Sequence, residues 1–366
     1  MSRLFDGIAR KALFTFDPEV AHGLSIAALK SGLVPGCRND GDPRLAIELA
    51  GLTFPNPLGM AAGYDKNAEV AGPLARLGFG FVEVGTVTPR LQEGNPKPRI
   101  FRLPEDRAVI NRLGFNNRGH EAALGNLAGH AQAGLLGINI GANKDAEDRI
   151  GDYVTGIGAF SEVADYFTIN VSSPNTPGLR NLQSRTALGE LLGRVLSERA
   201  ARAPQTPVFL KIAPDLADAD LDDIAEECLS HPLDGLIISN TTLSREGLSD
   251  KRANAETGGL SGRPLFLRST IVLAKMRQRL GKAVPLIGVG GIDSAETAAE
   301  KIRAGADLVQ LYTGFIYGGP MLPSRILKGL SKICDDEQIA RLGDIRDSRT
   351  EHYASLPSGA WTGPNT

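Results

Sequence analysis

The chain has 366 residues, 42% hydrophobic and 22% charged, enough for one large or two ordinary domains with a sizeable core, which excludes disorder as the main state. A formal net charge of -2, from 40 basic and 42 acidic residues, lacks the basic footprint of a nucleic-acid binder, so no nucleic-acid partner is expected. Cys37, Cys228 and Cys334 match no iron–sulfur or zinc spacing; with their odd number they indicate a reducing compartment, no disulfide framework and no metal site.

In chain order, residues 1–40 read as an N-terminal amphipathic helical extension. Leu4, Phe5, Ile8, Ala12 and Leu13 recur at helical spacing beside Arg3, Arg10 and Lys11. Those charges, with Asp6, interrupt the first apolar stretch, so no secretory signal is expected, and no run reaches the roughly 20 apolar residues of a spanning helix. A second helix is predicted from Asp17-Pro18-Glu19 to about Gly32, with Asp17 as cap and an apolar face of Val20, Leu24, Ala27 and Ala28. The pair either packs on the following domain or lies on a membrane surface; the sequence leaves both open.

Residues 41–337 read as one domain. A small hairpin is predicted at 45–54, turning at Ala50-Gly51, as a cap on one mouth of a barrel. Short apolar runs follow at 58–62, 81–86, 136–140, 166–171, 208–212, 236–239, 285–289 and 308–311. Continuous apolarity suits strands buried on both faces of a parallel sheet. Helical stretches fall between them, for example 186–201, 218–229, 265–280 and 294–304. Strands alternating with helices predict an α/β fold, a (β/α)8 TIM barrel with the N-terminal helical extension. A doubly wound sheet would want G-x-G-x-x-G at the first strand–helix turn, and that pattern is absent. Two connections, 87–134 and 241–284, are too long for simple crossovers and are expected to build lids or substrate walls. Residues 338–366 are polar and read as a disordered tail.

Polar residues follow nearly every predicted strand, which places them on the catalytic rim of a barrel. Asn111, Asn170, Asn175 and Asn240 each offer a donor and an acceptor and suit a flat ring with alternating N–H and C=O edges, such as a pyrimidine dione. No His–Asp pair or carboxylate cluster follows the strands, which counts against metal hydrolysis, glycoside cleavage and Ser-His-Asp acyl transfer. Gly290-Gly291 and Tyr312-Thr313-Gly314, after the last two strands, stand where barrels bind phosphate through backbone N–H groups, and the 258–262 loop could add further amides.

Five segments together resemble the dihydroorotate dehydrogenase family: 62–67 (AGYDKN), 84–89 (VGTVTP), 111–117 (NRLGFNN), 170–180 (NVSSPNTPGLR) and 288–292 (GVGGI). The resemblance runs in order from about residue 4 to about residue 337. It implies an FMN-bearing barrel that oxidises (S)-dihydroorotate to orotate in de novo pyrimidine (UMP) biosynthesis, an oxidoreductase acting on a CH–CH group. The family's cytosolic branch carries cysteine where this chain has Ser173, and lacks the N-terminal extension. Its NAD-linked branch needs an iron–sulfur partner subunit. The quinone-dependent, membrane-associated branch shares the serine and a Pro-Glu-x-Ala-His stretch, here Pro18 to His22, and is the branch this chain is most similar to.

By that resemblance, Ala62, Gly63, Lys66, Thr86, Asn139, Asn170, Lys211 and Ser239 contact FMN, and Gly262, Gly291, Tyr312 and Thr313 hold its phosphate end. Lys66, Asn111, Arg112, Leu113, Gly114, Phe115, Asn170, Asn175, Asn240 and Thr241 bind substrate. Ser173 is the base, with Thr176 and Phe115 flanking its proton path, and His22, Arg99 and Tyr312 stand at the quinone tunnel. The implied setting is a monomer with no obligate protein partner, a peripheral membrane protein in contact with lipid on the cytoplasmic face of a bacterial inner membrane. Two competing readings are another FMN barrel that reduces a pyrimidine and a non-redox barrel that binds a sugar phosphate.

Overall fold

The computed structural model describes residues 13–36, 41–128 and 134–357. Most of the first predicted helix, and Cys37, lie outside these residues. Eight parallel strands close into a barrel: β3 (Leu58–Met60), β4 (Phe81–Val87), β7 (Leu135–Ile140), β8 (Tyr166–Asn170), β9 (Val208–Ile212), β10 (Gly235–Ile238), β12 (Leu286–Val289) and β13 (Leu308–Leu311), which returns to β3. All eight coincide with the predicted apolar runs to within about two residues at each end.

Side chains alternate across each strand, and that parity layers the interior. Phe81, Tyr166, Phe209, Ile237, Ile287 and Leu308 fill the amino-terminal end of the barrel. The rings fit because glycines face them: a Cβ on Gly137 would lie 2.0 Å from Tyr166, and one on Gly59 2.3 Å from Phe81. Beneath this layer the hairpin β1 (Ile47–Leu49) and β2 (Leu52–Phe54) adds Leu49 and Phe54, as its sequence predicts. Its turn residues Ala50 and Gly51 have φ of 52° and 78°, the two positive angles of a tight hairpin turn.

The two long connections meet. β5 (Ile100–Leu103) and β6 (Ala108–Asn111) come from the first and β11 (Gly259–Gly262) from the second, forming one antiparallel sheet ordered β11-β6-β5. Its register sets Gly259 opposite Asn111.

The helix Pro18–Lys30 starts as predicted, with the Asp17 carboxylate accepting from Glu19 N at 2.9 Å and Val20 N at 3.2 Å. The predicted apolar face is not the side that packs on the barrel. Val20 (53% exposed) and Leu24 (43%) face outward, and Ala21 and Leu29 are buried. Polar anchors fix this rotation: Arg99 donates to the Glu19 carboxylate at 2.7 and 3.2 Å, and Tyr64 OH donates to Ser25 Oγ at 3.0 Å.

The polar segment from 338 onward, expected to be disordered, is ordered over its described residues, 338–357. It forms a 3-10 turn at Leu342–Ile345 and a short helix at Thr350–Ala354. Leu342, Ile345 and Tyr353 join the main core, and Tyr353 OH and Arg349 both donate to the Glu300 carboxylate, at 2.8 and 3.0 Å. Three spaced apolar residues and charges matched to the barrel's helices outweigh the polar composition. Cys228 and Cys334 are buried free thiols, and burial pushes Cys228 up to about 12. Among the described residues there is no candidate metal cluster and no helix long and apolar enough to cross a membrane.

Candidate active site

The carboxyl ends of the strands and the added sheet enclose a cleft of ≈ 990 Å³, its open mouth included. Most of the predicted site residues line it: Ala62, Gly63, Lys66, Thr86, Asn111, Leu113, Gly114, Phe115, Asn170, Ser173, Asn175, Lys211, Ser239, Asn240, Thr241, Gly262, Gly291, Tyr312 and Thr313.

The floor is polar and charged. Glu83, fully buried in the middle of β4, accepts from Asn139 Nδ2 at 2.7 Å, Gln310 Nε2 at 2.8 Å and Tyr166 OH at 3.3 Å. Lys211 Nζ stands 4.0 Å from the same carboxylate, too far for a hydrogen bond, and donates to no acceptor among the described residues. Burial lowers the pKa of Lys211 and the Glu83 charge opposes that shift. The result is a buried cation facing the cleft with all its N–H bonds free. Asn139 lies beneath the cleft and does not line it; its Oδ1 accepts from Thr86 Oγ1 at 2.5 Å and Asn170 Nδ2 at 3.1 Å. It therefore orients two wall residues from below.

One end of the cleft is an anion cradle. Among the described residues, the N–H groups of Gly290, Gly291, Thr313 and Gly314 meet no acceptor, and all four residues line the cleft. Gly290 and Gly291 have φ of +111° and +76°, and a Cβ on Gly291 would lie 2.4 Å from Phe266 Cβ. Only glycine lets the backbone come this close. A Cβ on Gly262 would likewise lie 2.4 Å from Arg107 O. Such a cradle fits a phosphate, and the free Lys211 ammonium fits an electron-rich ring edge; together they suit FMN.

At the other end the asparagines are wired together. Asn175 Nδ2 donates to Asn111 Oδ1 at 3.2 Å, while Asn240 Nδ2 donates to Asn170 Oδ1 at 3.3 Å and to Ser172 Oγ at 3.0 Å. Each pair keeps amide atoms for a ligand. Thr241 Oγ1 is buried without a partner. Lys66 stands on the wall with no hydrogen bond or ion pair among the described residues; burial lowers it to about 8, the Glu19 charge opposing that shift and the Arg99 charge adding to it. Ser173 is buried, and its Oγ accepts from Asn175 N–H at 3.2 Å. Among the described residues, no histidine or carboxylate hydrogen-bonds to it. Thr176 Oγ1, three residues on, is buried with no partner.

Arg112 does not face the cleft. Its guanidinium donates to Glu256 at 2.6 Å and Pro98 O at 2.9 Å and stacks 4.4 Å from the Phe101 ring centre, so it ties the two long connections together.

A second, largely apolar cavity of ≈ 1660 Å³ opens between the helix Pro18–Lys30 and the added sheet. It shares Asn111, Leu113, Ser261, Tyr312 and Thr313 with the cleft. His22 and Tyr312 line it; Arg99 does not, because Glu19 holds it. Arg102 lines the cavity instead. Alternation along β5 could have separated the two arginines, but the partner of Arg99 lies 80 residues away. His22 packs edge-on against Tyr64, 5.1 Å between ring centres, and Tyr64 against Tyr312 at 5.8 Å. Burial, and then the Lys66 charge, lower His22 to about 3, so it is neutral at ordinary pH.

The family model described as dihydroorotate dehydrogenase matches residues 44–334. A protein of Rhizobium leguminosarum bv. trifolii named dihydroorotate dehydrogenase (quinone) is 65% identical over 355 residues, 96% of this chain and 98% of its own. One of the same name from Agrobacterium fabrum is 63% identical over 363 residues, 98% of this chain and 100% of its own. A crystal structure of DHODH from Eimeria tenella in complex with ferulenol superposes with a TM-score of 0.86 at 40% identity, covering 92% of this chain and 96% of that one. Cleft, barrel and near-full-length identity agree: the chain belongs to the dihydroorotate dehydrogenase family, in its quinone-dependent branch, and is an oxidoreductase.

Proposed function

We propose that this protein binds FMN in the cleft, oxidises (S)-dihydroorotate to orotate for UMP synthesis, and passes the electrons to a membrane quinone in the second cavity. The carrying observation is the shared wall: an amide-lined cleft with an anion cradle meets an apolar cavity at Tyr312. The names of the relatives, dihydroorotate dehydrogenase (quinone), support both substrates.

Bound FMN supplies a hydride acceptor and a path for electrons onward. The N–H groups of Gly290, Gly291, Thr313 and Gly314 would hold its phosphate, and Thr86, Asn170 and Lys211 would contact its ring. The Lys211 ammonium favours negative charge at the ring edge. Lys66 pairs with the substrate carboxylate, and Asn111, Asn170, Asn175, Asn240 and Thr241 read the ring's polar edges.

Ser173 removes the C5 proton as hydride leaves C6. A serine hydroxyl is a weak base unless it gives up its own proton, and the Asn175 N–H that donates to Oγ stabilises the alkoxide character that this loss creates. The unpartnered Thr176 hydroxyl is the group available to relay the proton onward.

The quinone lies in the second cavity with its ring toward Tyr312, near neutral His22 and the Arg102 guanidinium. The outward faces of Phe16, Val20, Leu24 and Leu33, each at least 43% exposed, contact lipid, making the protein a peripheral monomer on the inner face of a bacterial membrane. The test is assay of the purified protein for a bound yellow chromophore and for dihydroorotate-dependent reduction of a long-chain quinone. Colourless protein without that activity contradicts the proposal.

A further inference from the structure

Lys301 belongs to no part of the site described so far. It stands in the helix Ala295–Arg303 that follows β12, has no exposed surface, and pairs with no carboxylate among the described residues. Its Nζ donates to Ser269 Oγ at 2.6 Å and Phe266 O at 3.3 Å, and lies 5.1 Å from the Phe266 ring centre. Burying a charged lysine without a counter-charge is costly, so this amine is held as an ammonium only where an anion from outside the chain comes near.

The neighbours of Lys301 are the backing of the anion cradle. A Cβ on Gly290 would lie 2.6 Å from Ser269 Oγ, and one on Gly291 2.4 Å from Phe266 Cβ. Ser269 Oγ accepts from Lys301 and has three carbonyls in reach: Leu265 at 2.8 Å, Phe266 at 3.1 Å and Gly290 at 3.4 Å. The Gly290 carbonyl and the Gly291 N–H belong to one peptide, whose carbonyl faces Ser269 while its N–H lies at the cradle. The cradle itself, formed by Ser261, Gly262, Gly290, Gly291, Thr313 and Gly314, contains no cationic side chain. The arginines nearest in sequence to its loops, Arg107 and Arg263, are engaged by Asp293 at 3.2 and 2.7 Å.

We propose that Lys301 is the buried cation for the cofactor's phosphate, acting from behind the cradle through Ser269 and the Gly290–Gly291 peptide. It is a positioning residue that touches neither cofactor nor substrate. The inference rests on the FMN reading above and goes beyond it, because it assigns selectivity for a phosphorylated flavin to a side chain outside the cleft. Burial lowers the pKa of the Lys301 amine well below its ordinary value, the direction expected where the counter-charge is not part of the chain. A lysine that merely anchors one helix to the next would support flavins with and without phosphate equally.

The test compares FMN and riboflavin binding, by quenching of flavin fluorescence, to the full chain freed of flavin. Lys301→Met keeps most of the volume and removes the charge. It is expected to weaken FMN binding by about tenfold or more and to leave riboflavin within about twofold of wild type. Should that variant fail to fold, Ser269→Ala, which removes the relaying hydroxyl and leaves the lysine, is expected to lower the FMN-to-riboflavin ratio by a smaller factor. A full FMN preference in whichever folded variant is measured overturns the inference, as does equal loss of both ligands. A wild-type protein with no preference for FMN removes the flavin-phosphate reading itself, and the inference with it.

Discussion

Glu83 Oε1 stands 4.0 Å from Lys211 Nζ in the middle of the barrel, and the two form an ion pair that is not a hydrogen bond. Three neutral donors satisfy the rest of the carboxylate, from Asn139, Gln310 and Tyr166. Lys211 thus keeps a counter-ion behind it and its donors ahead of it, aimed into the cleft. Breaking a buried pair by removing one partner leaves the other charge uncompensated, which costs about 3–5 kcal/mol.

Glu83→Gln is therefore expected to destabilise the flavin-free protein by a few kcal/mol, on the order of 3. Adding Lys211→Met should recover part of that loss, since the orphaned charge is gone. Denaturant midpoints of the two single variants and the double variant check this; purely additive effects contradict it.

Ser173→Ala is expected to keep bound flavin and to slow its bleaching by dihydroorotate by about 10²–10⁴-fold, the usual worth of a general base. Stopped-flow absorbance measures it directly. Bleaching at the wild-type rate removes Ser173 from its role.

Asn175 spans two functions, with its side chain on Asn111 and its N–H on Ser173. Asn175→Ala removes only the side chain, so orotate affinity should fall by about 1–3 kcal/mol, the cost of leaving polar groups unpaired, while flavin content stays unchanged. An unchanged orotate affinity in a flavin difference titration shows that the amide set does not hold the ring.

Lys66, lowered to about 8 in the free site, gives binding a pH dependence. The ammonium is present below that value and lost above it, and only the ammonium pairs with a carboxylate. Orotate affinity is expected to be level up to about pH 7.5 and then to fall, approaching about tenfold per pH unit, until the pKa of the liganded lysine is reached. Lys66→Met should bind weakly at every pH. Wild-type affinity that stays flat through pH 9 contradicts the assignment.

The barrel was legible in the sequence because parallel strands buried on both faces appear as continuous apolar runs. The rim residues were legible for a related reason: Asn170, Ser173, Lys211 and Ser239 interrupt those runs or follow them directly. Glu83 and Gln310 were not, since a polar residue in the middle of the runs Phe81–Val87 and Leu308–Leu311, away from the strand end, is absorbed into the strand pattern. The available signal was parity, for Glu83 lies two residues from Phe81 and so shares its inward face. The rotation of the N-terminal helix, the site of Arg99 and the order of residues 338–357 depend on partners distant in the chain, such as Glu19 for Arg99 and Glu300 for Tyr353. Local spacing carries no trace of these.

By the proposed function, the two cavities meeting at Tyr312 serve two half-reactions. Anaerobic double mixing separates them: dihydroorotate is added first, then a long-chain quinone, with the flavin's visible absorbance followed throughout. Ala21→Trp, which fills the second cavity from the helix Pro18–Lys30 without touching the cleft, is compared with wild type. The expected result is bleaching in the first mix with one orotate formed per flavin, recovery of colour in the second, and a variant slowed only in the second. Failure of the wild-type flavin to bleach, or a variant in which quinone restores the colour at the wild-type rate, would contradict it.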